Sequence, residues 1–409
     1  MKNIVILFDG TWNTSDSQFP SNVVKTAQLI APRNGAGVEQ VVHYDSGVGS
    51  VDVAVASNFN NLLGGAFGSG LLGNIEQAYR FLAFNYAPGD RLFIFGFSRG
   101  AFSARSMGGL IRTCGILRKD RIGKVKEAIQ LYKRRVPEDA APPGSPARQA
   151  TSRADADRFL EFRRENSIAA ASSTADRRWR ISNVGPSAAS EPELAIDYMG
   201  VWDTVGSLGI PSGIGVASLY NRRYRFHDLD LSSMVKSARH ALAIDERRAT
   251  FEATLWENID ALNRRASEAD PQLAGPPYRQ QWFPGDHGSV GGSGDVNGHW
   301  QASLVWVVEG AMEKSLGVDE EALAAYRDGI DVTASLSCMQ TWSFSLASIA
   351  LRKWRKGPGP GEVAAVSGHA RSRVLAEPER LAEKAPYRPK PLVAVLPALL
   401  GTADVRGAE

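Results

Sequence analysis

Arg91-Leu92-Phe93-Ile94-Phe95-Gly96-Phe97-Ser98-Arg99-Gly100-Ala101-Phe102 is the stretch on which the reading of this chain turns. A short apolar run, Arg91–Phe95, is preceded by the turn signal Pro88-Gly89-Asp90 and closed by Gly96, which is the pattern of a buried strand. From Ala101 the small and apolar residues Ala101, Ala104, Met107 and Ile111 recur at helical spacing. Between strand and helix stands Gly-x-Ser-x-Gly. A serine on so sharp a strand-to-helix turn is strained and exposed, and flanking glycines let neighbouring backbone approach it. The helix that follows offers its first amides to an oxyanion. Ser98 is therefore the candidate nucleophile.

Working outward, Ile4–Phe8 is uninterruptedly apolar and reads as a central strand; it ends in Asp9-Gly10-Thr11-Trp12-Asn13. Val23–Ile30 reads as a short helix capped by Ser21 or Asn22, and Val38–Tyr44 as a second strand. Leu62–Gly73 is glycine-rich but has neither the lysine of a P-loop nor G-x-G-x-x-G spacing, so it is expected to be a mobile loop beside the pocket. Asn74–Tyr86 reads as a helix, Leu194–Trp202 as a strand ending at Asp203, Met234–Ile244 as a helix carrying His240, and Tyr278–Phe283 as a strand ending before His287. Further helices are expected at Ala302–Lys314, Glu320–Asp328 and Leu336–Arg355. Residues 118–190 are rich in Arg, Ala, Ser and Asp and read as a surface insertion, helical near Lys124–Arg135 and Asp155–Asn166. The expected organisation is one catalytic domain over 1–356 containing that insertion, then a tail over 357–409, with Pro391–Leu400 as a docking segment.

Composition narrows the function. With 47 basic against 44 acidic residues the net charge is +3, which argues against a dedicated nucleic-acid surface. The two cysteines, Cys114 and Cys338, give neither a disulfide framework nor zinc spacing. Met1-Lys2-Asn3-Ile4 runs directly into a strand and no apolar run reaches membrane-spanning length, so the expectation is synthesis in the cytoplasm without signal peptide or transmembrane helix.

A serine needs a base, and the base needs a partner that fixes its tautomer. Of six histidines, His287 lies in a glycine-rich loop directly after a strand and is the candidate base; His240 is next, and His299 opens a helix as a capping or supporting group. Asp203, at the end of an apolar strand, is the candidate orienting acid, with Asp245 in reserve. The order Ser98, Asp203, His287 is that of α/β hydrolases. The oxyanion donors are expected from the Arg99 amide with Gly10 or Thr11, and Asp9 is expected to point away and brace its loop. A metal site from Asp9, Asp45 and His287 has no fixed ligand spacing behind it, and no cofactor is expected. Alternating strands and helices predict an α/β fold with a mostly parallel sheet covered on both faces.

Five blocks occur together and in order: Phe8-Asp9-Gly10-Thr11-Trp12-Asn13, Gly96-Phe97-Ser98-Arg99-Gly100-Ala101, Gly200-Val201-Trp202-Asp203-Thr204-Val205-Gly206, His240-Ala241-Leu242-Ala243-Ile244-Asp245-Glu246-Arg247 and Trp282-Phe283-Pro284-Gly285-Asp286-His287. In these the chain resembles the DUF2235 family, the α/β-hydrolase domain of Tle-type phospholipase effectors of type VI secretion. The resemblance implies hydrolysis of glycerophospholipid acyl esters with Ser98, Asp203 and His287 as nucleophile, acid and base. It also implies a lipid or ester substrate, export by a specialised system, and a secretion apparatus or immunity protein as partner; the basic residues of 118–190 read as a solvated face, with peripheral contact to anionic lipid headgroups as the alternative. After the histidine such proteins commonly carry Ser-Asp-Val-Gly-Gly-Gly; here Gly288-Ser289-Val290-Gly291-Gly292-Ser293 lacks the acidic neighbour. Two other readings stay open: an esterase or thioesterase for a soluble substrate, and a non-catalytic binding module on the same fold.

Overall fold

In a computed structural model the described residues are 1–10, 13, 15–47, 67–133, 146–205, 230–248, 251–336 and 359–401. Among the described residues six strands build one sheet: β1 Asn3–Phe8, β2 Gln40–Asp45, β3 Arg91–Phe97, β4 Tyr198–Trp202, β5 Ala238–Ala243 and β6 Tyr278–Phe283. Their order is β2-β1-β3-β4-β5-β6, and every pairing is parallel. Parallel neighbours need long crossovers, and among the described residues helices lie in those from β1 to β2, β2 to β3, β3 to β4 and β5 to β6. The fold is α/β and α/β-hydrolase-like.

Alternate strand residues feed opposite faces. Ile4, Ile6, Leu92, Ile94, Met199 and Val201 face one core, covered by α2 Phe67–Asn85, α3 Arg99–Cys114 and α4 Val125–Lys133. Val5, Leu7, Phe93, Phe95, Tyr198 and Trp202 face the other, under α1 Asn22–Leu29, α9 His299–Met312 and α10 Glu320–Asp328. Because strand order reverses between β1 and β3, a crevice opens at their carboxyl ends, where Asp9 and Ser98 stand.

Three expectations need correction. The segment expected as a helix over Met234–Ile244 contains strand β5 instead. Its Ala-rich sequence favours a helix in isolation, but pairing on both sides, with β4 and β6, overrides that preference, and Ala241 and Ala243 are fully buried under the cover. The glycine-rich stretch is not all loop: from Phe67 it is the first part of α2, whose Leu71, Ile75, Tyr79 and Leu82 are buried. Residues 62–66 lie outside the described residues, as does most of the helix expected at Leu336–Arg355.

The Arg-rich stretch is also less solvated than its composition suggests. Helix α5, Pro146–Asn166, is followed by an unforeseen α6, Thr174–Asn183, capped by Ser173. Between them Arg163 meets Asp176 at 2.8 Å and Arg180 meets Glu191 at 2.9 Å, with both arginines and Asp176 buried. These ion pairs lie beside Phe162, Ala170 and Leu194, which join the apolar core, so charge pairing and apolar packing together pin this part of the chain.

Residues 359–401 lie against the sheet edge. Val366 bridges Trp282 of β6, and Val374 of α11 Gly368–Leu375 and Leu399 of α12 Leu396–Gly401 join Leu242, Ile244 and Trp282 in a third apolar cluster.

Candidate active site

Ser98 sits between β3 and α3 with φ 58° and ψ −122°, a conformation that costs a non-glycine residue about 1–3 kcal/mol. Its amide donates to the Trp202 carbonyl at 3.0 Å, tying the turn to the end of β4. Both motif glycines are required by close approach. A Cβ on Gly96 would overlap the backbone of Gly100 and Ala101, and one on Gly100 would overlap the Phe8 and Asp9 carbonyls.

Asp203, directly after β4, is fully buried, with φ 33°. One carboxylate oxygen accepts the Ala243 amide at 3.0 Å; the other lies 2.6 Å from Nδ1 of His287. Nε2 of His287 lies 2.8 Å from the Ser98 hydroxyl. An ionised carboxylate can only accept, so Nδ1 carries the hydrogen and Nε2 is left to accept from Ser98. His287 opens the short helix α8, His287–Gly291, which Asp286 caps through the Ser289 amide. Phe97 and Phe251 rings lie against its imidazole, 4.6 Å and 4.9 Å away between centroids.

The other candidate residues fall around this line of three. Asp9 takes the Gly10 amide at 2.6 Å and the Ser21 and Tyr44 hydroxyls at 2.8 Å each, so it braces the loop. Burial raises its carboxyl above the ordinary range despite those bonds. The Gly10 amide is thus turned toward Asp9. Thr11 lies outside the described residues, and Arg99 is the first residue of α3.

His240 stands on β5, fully buried; its Nδ1 donates to the Gln280 side chain at 2.9 Å and its Nε2 accepts the Thr204 amide at 3.2 Å. Asp245 binds the Gly285 amide at 2.8 Å and the Tyr387 hydroxyl at 2.7 Å, and burial pushes its carboxyl up to about 6. His299 does open a helix, but it bonds His369 at 2.8 Å and the Ala334 carbonyl at 3.1 Å. Among the described residues no group of three or more His, Cys, Asp or Glu is arranged to hold a metal ion.

Sequence reasoning missed Glu246, Arg248 and Phe251. Glu246 accepts the His287 amide at 3.3 Å, so an acidic neighbour of the base comes from the end of β5 rather than from the residues after His287. Burial would raise its carboxyl, but the bonds from Arg248 and the nearby imidazole outweigh it and hold it below the ordinary range. Its place at the end of the fourth motif block was the available signal.

The family described as "T6SS, Phospholipase effector Tle1-like, catalytic domain" matches residues 2–310. A Saccharomyces cerevisiae relative, "Uncharacterized protein YEL023C", is 31% identical over 259 residues, covering 61% of this chain and 32% of its own. Among solved structures, an uncharacterized protein from Pseudomonas aeruginosa is similar at 18% identity and TM-score 0.40, covering 79% of this chain and 47% of its own. The Tle1 effector bound to the VgrG spike is similar at 17% and 0.34, covering 72% and 52%. This chain thus spans about a third of the yeast relative and about half of each solved chain.

Proposed function

This chain belongs to the Tle1-like family of type VI secretion phospholipase effectors, matched through its catalytic domain, and on that premise we propose that it is a serine hydrolase of phospholipid acyl esters. The observation that carries the reading is the unbroken hydrogen-bonded line from Ser98 through His287 to Asp203. Ser98 Oγ attacks the acyl carbonyl as its proton passes to His287 Nε2, and the carbonyl π electrons move onto oxygen. The resulting oxyanion is met by the Arg99 amide at the start of α3 and by a second amide from the Gly10–Thr11 loop, where the Gly10 N–H must turn from Asp9. As the oxyanion collapses, the C–O bond to the lysolipid breaks and that oxygen takes the proton from His287, leaving an acyl-serine. Water then attacks the acyl carbon, gives its proton to His287, and the fatty acid departs as Ser98 regains a hydrogen. Asp203 stays ionised throughout and stabilises the imidazolium.

The family description further supports export by a secretion apparatus, with a component of that apparatus as partner. No described helix is long and apolar enough to cross a membrane. The proposed substrate is met at a lipid surface. The test compares wild type with Ser98→Ala on phospholipid vesicles, on mixed micelles and on a soluble p-nitrophenyl ester. The reading expects loss of at least ~10³-fold in turnover on every substrate and a preference of the wild type for aggregated lipid. Undiminished turnover by Ser98→Ala would overturn the mechanism; preference for the soluble ester would overturn the substrate class.

A further inference from the structure

The loop after β5 places more charge beside His287 than the reaction uses. Glu246 is buried and takes the His287 amide. Arg248 grips the same carboxylate as a fork, Nε to one oxygen at 2.9 Å and a terminal nitrogen to the other at 2.6 Å. The guanidinium then lies over the Phe251 ring, 3.8 Å from its centroid. That ring stands at 67° to the His287 imidazole. The contacts close on themselves, running from the main chain of His287 through Glu246, Arg248 and Phe251 back to the ring of the same residue.

We propose that Glu246, Arg248 and Phe251 are positioning residues that hold the His287 ring in line with the Ser98 hydroxyl while keeping the charge beside it balanced. The proposal rests on the reading of His287 as the base. Asp203 fixes one ring nitrogen but leaves the imidazole free to rock about that single bond; rings of Phe251 and Phe97 against it oppose the rocking. A buried ion pair is a poor way to gain stability, since apolar residues of equal volume commonly do as well. A pair that must be neutral overall and yet grip a main-chain amide has a reason to be charged. The described ionisable groups around the imidazole are Asp203, Glu246, Arg248 and Asp286, and the two members of the pair carry opposite charges.

The experiment is the pH profile of kcat/KM on a soluble ester for the full chain and four variants. Glu246→Gln leaves the Arg248 cation unpaired, which disfavours imidazolium, so the midpoint of the acid limb moves to lower pH. Arg248→Gln leaves the Glu246 anion unpaired and moves it to higher pH. Each displacement is expected at roughly half to one pH unit. The double variant Glu246→Gln/Arg248→Gln returns the midpoint to the wild-type value with kcat down about 10-fold and KM unchanged. Arg248→Lys keeps the charge but loses the fork and the stacking, and shows the same fall in kcat without a displaced midpoint. Where a Gln variant fails to fold by circular dichroism, Arg248→Lys decides: wild-type kcat overturns the proposal. Wild-type midpoints and kcat in all variants overturn it while leaving the hydrolase reading intact. An unmodified chain that neither turns over ester nor labels with a fluorophosphonate overturns the hydrolase reading itself.

Discussion

At Asp203 two demands meet in one side chain. One oxygen holds the Ala243 amide of β5 and the other orients the imidazole. Asp203→Asn separates them: the amide oxygen still accepts from Ala243, while the NH2 group faces Nδ1 and forces the ring hydrogen onto Nε2. Turnover is expected to fall by roughly 10³–10⁴-fold with the melting temperature within about two degrees of wild type, measured by ester kinetics and thermal melts on one preparation. Retained turnover would remove Asp203 from the mechanism. At this scale Ser98 was readable because strand, glycines and helix lie on one continuous stretch. Asp203 and His287 were readable because each follows a strand. Phe251 was not, because nothing local tells a loop phenylalanine that its ring will meet an imidazole.

Among the elements, the turn at Ser98 and helix α2 show two opposite uses of glycine. Gly100 lies where β1 carbonyls leave no room for a Cβ, so Gly100→Ala must push β1 and α3 apart and is expected to cost more than about 3 kcal/mol. Gly73, within α2, has no neighbouring atom within 4 Å of the place a Cβ would take, so Gly73→Ala is expected to stabilise by about 0.5–1 kcal/mol. Chemical denaturation checks both, and a stabilised Gly100→Ala would contradict the close approach. Strand β5 carries the other lesson. Its residues prefer a helix locally, and only its position between β4 and β6 makes it a strand; His240 accordingly binds Thr204 and Gln280 within the sheet layer.

For the molecule as a whole, residues 359–401 are tied back to the domain by Tyr387 on Asp245, by Arg373 on the Val332 carbonyl, and by the His299–His369 pair. Burial and neighbouring positive charge hold His299 down to about 3 and His369 down to about 4. Unfolded histidines protonate near pH 6.5. Between that value and about 4 the unfolded chain therefore binds more protons than the folded one, so this pair costs stability progressively as pH falls through the window. His369→Gln, which can still donate to His299, is expected to flatten the fall in melting temperature between about pH 7 and pH 4.5. An unchanged slope would show that the pair does not couple protonation to folding.

The sequence by itself determined the parallel α/β class, the serine turn and its glycines, the chain order of the three central polar residues and the family, because these depend on local periodicity, on steric exclusion at single backbone positions and on short motifs. Tertiary structure alone decided that the Ala-rich segment is a strand, that the arginines near residue 170 are buried in ion pairs, that Gly10 turns its amide to Asp9, and that Glu246, Arg248 and Phe251 surround the imidazole. Those outcomes depend on what a residue meets across the fold, and the energy of a buried charge or a central strand is set by neighbours far away in the chain.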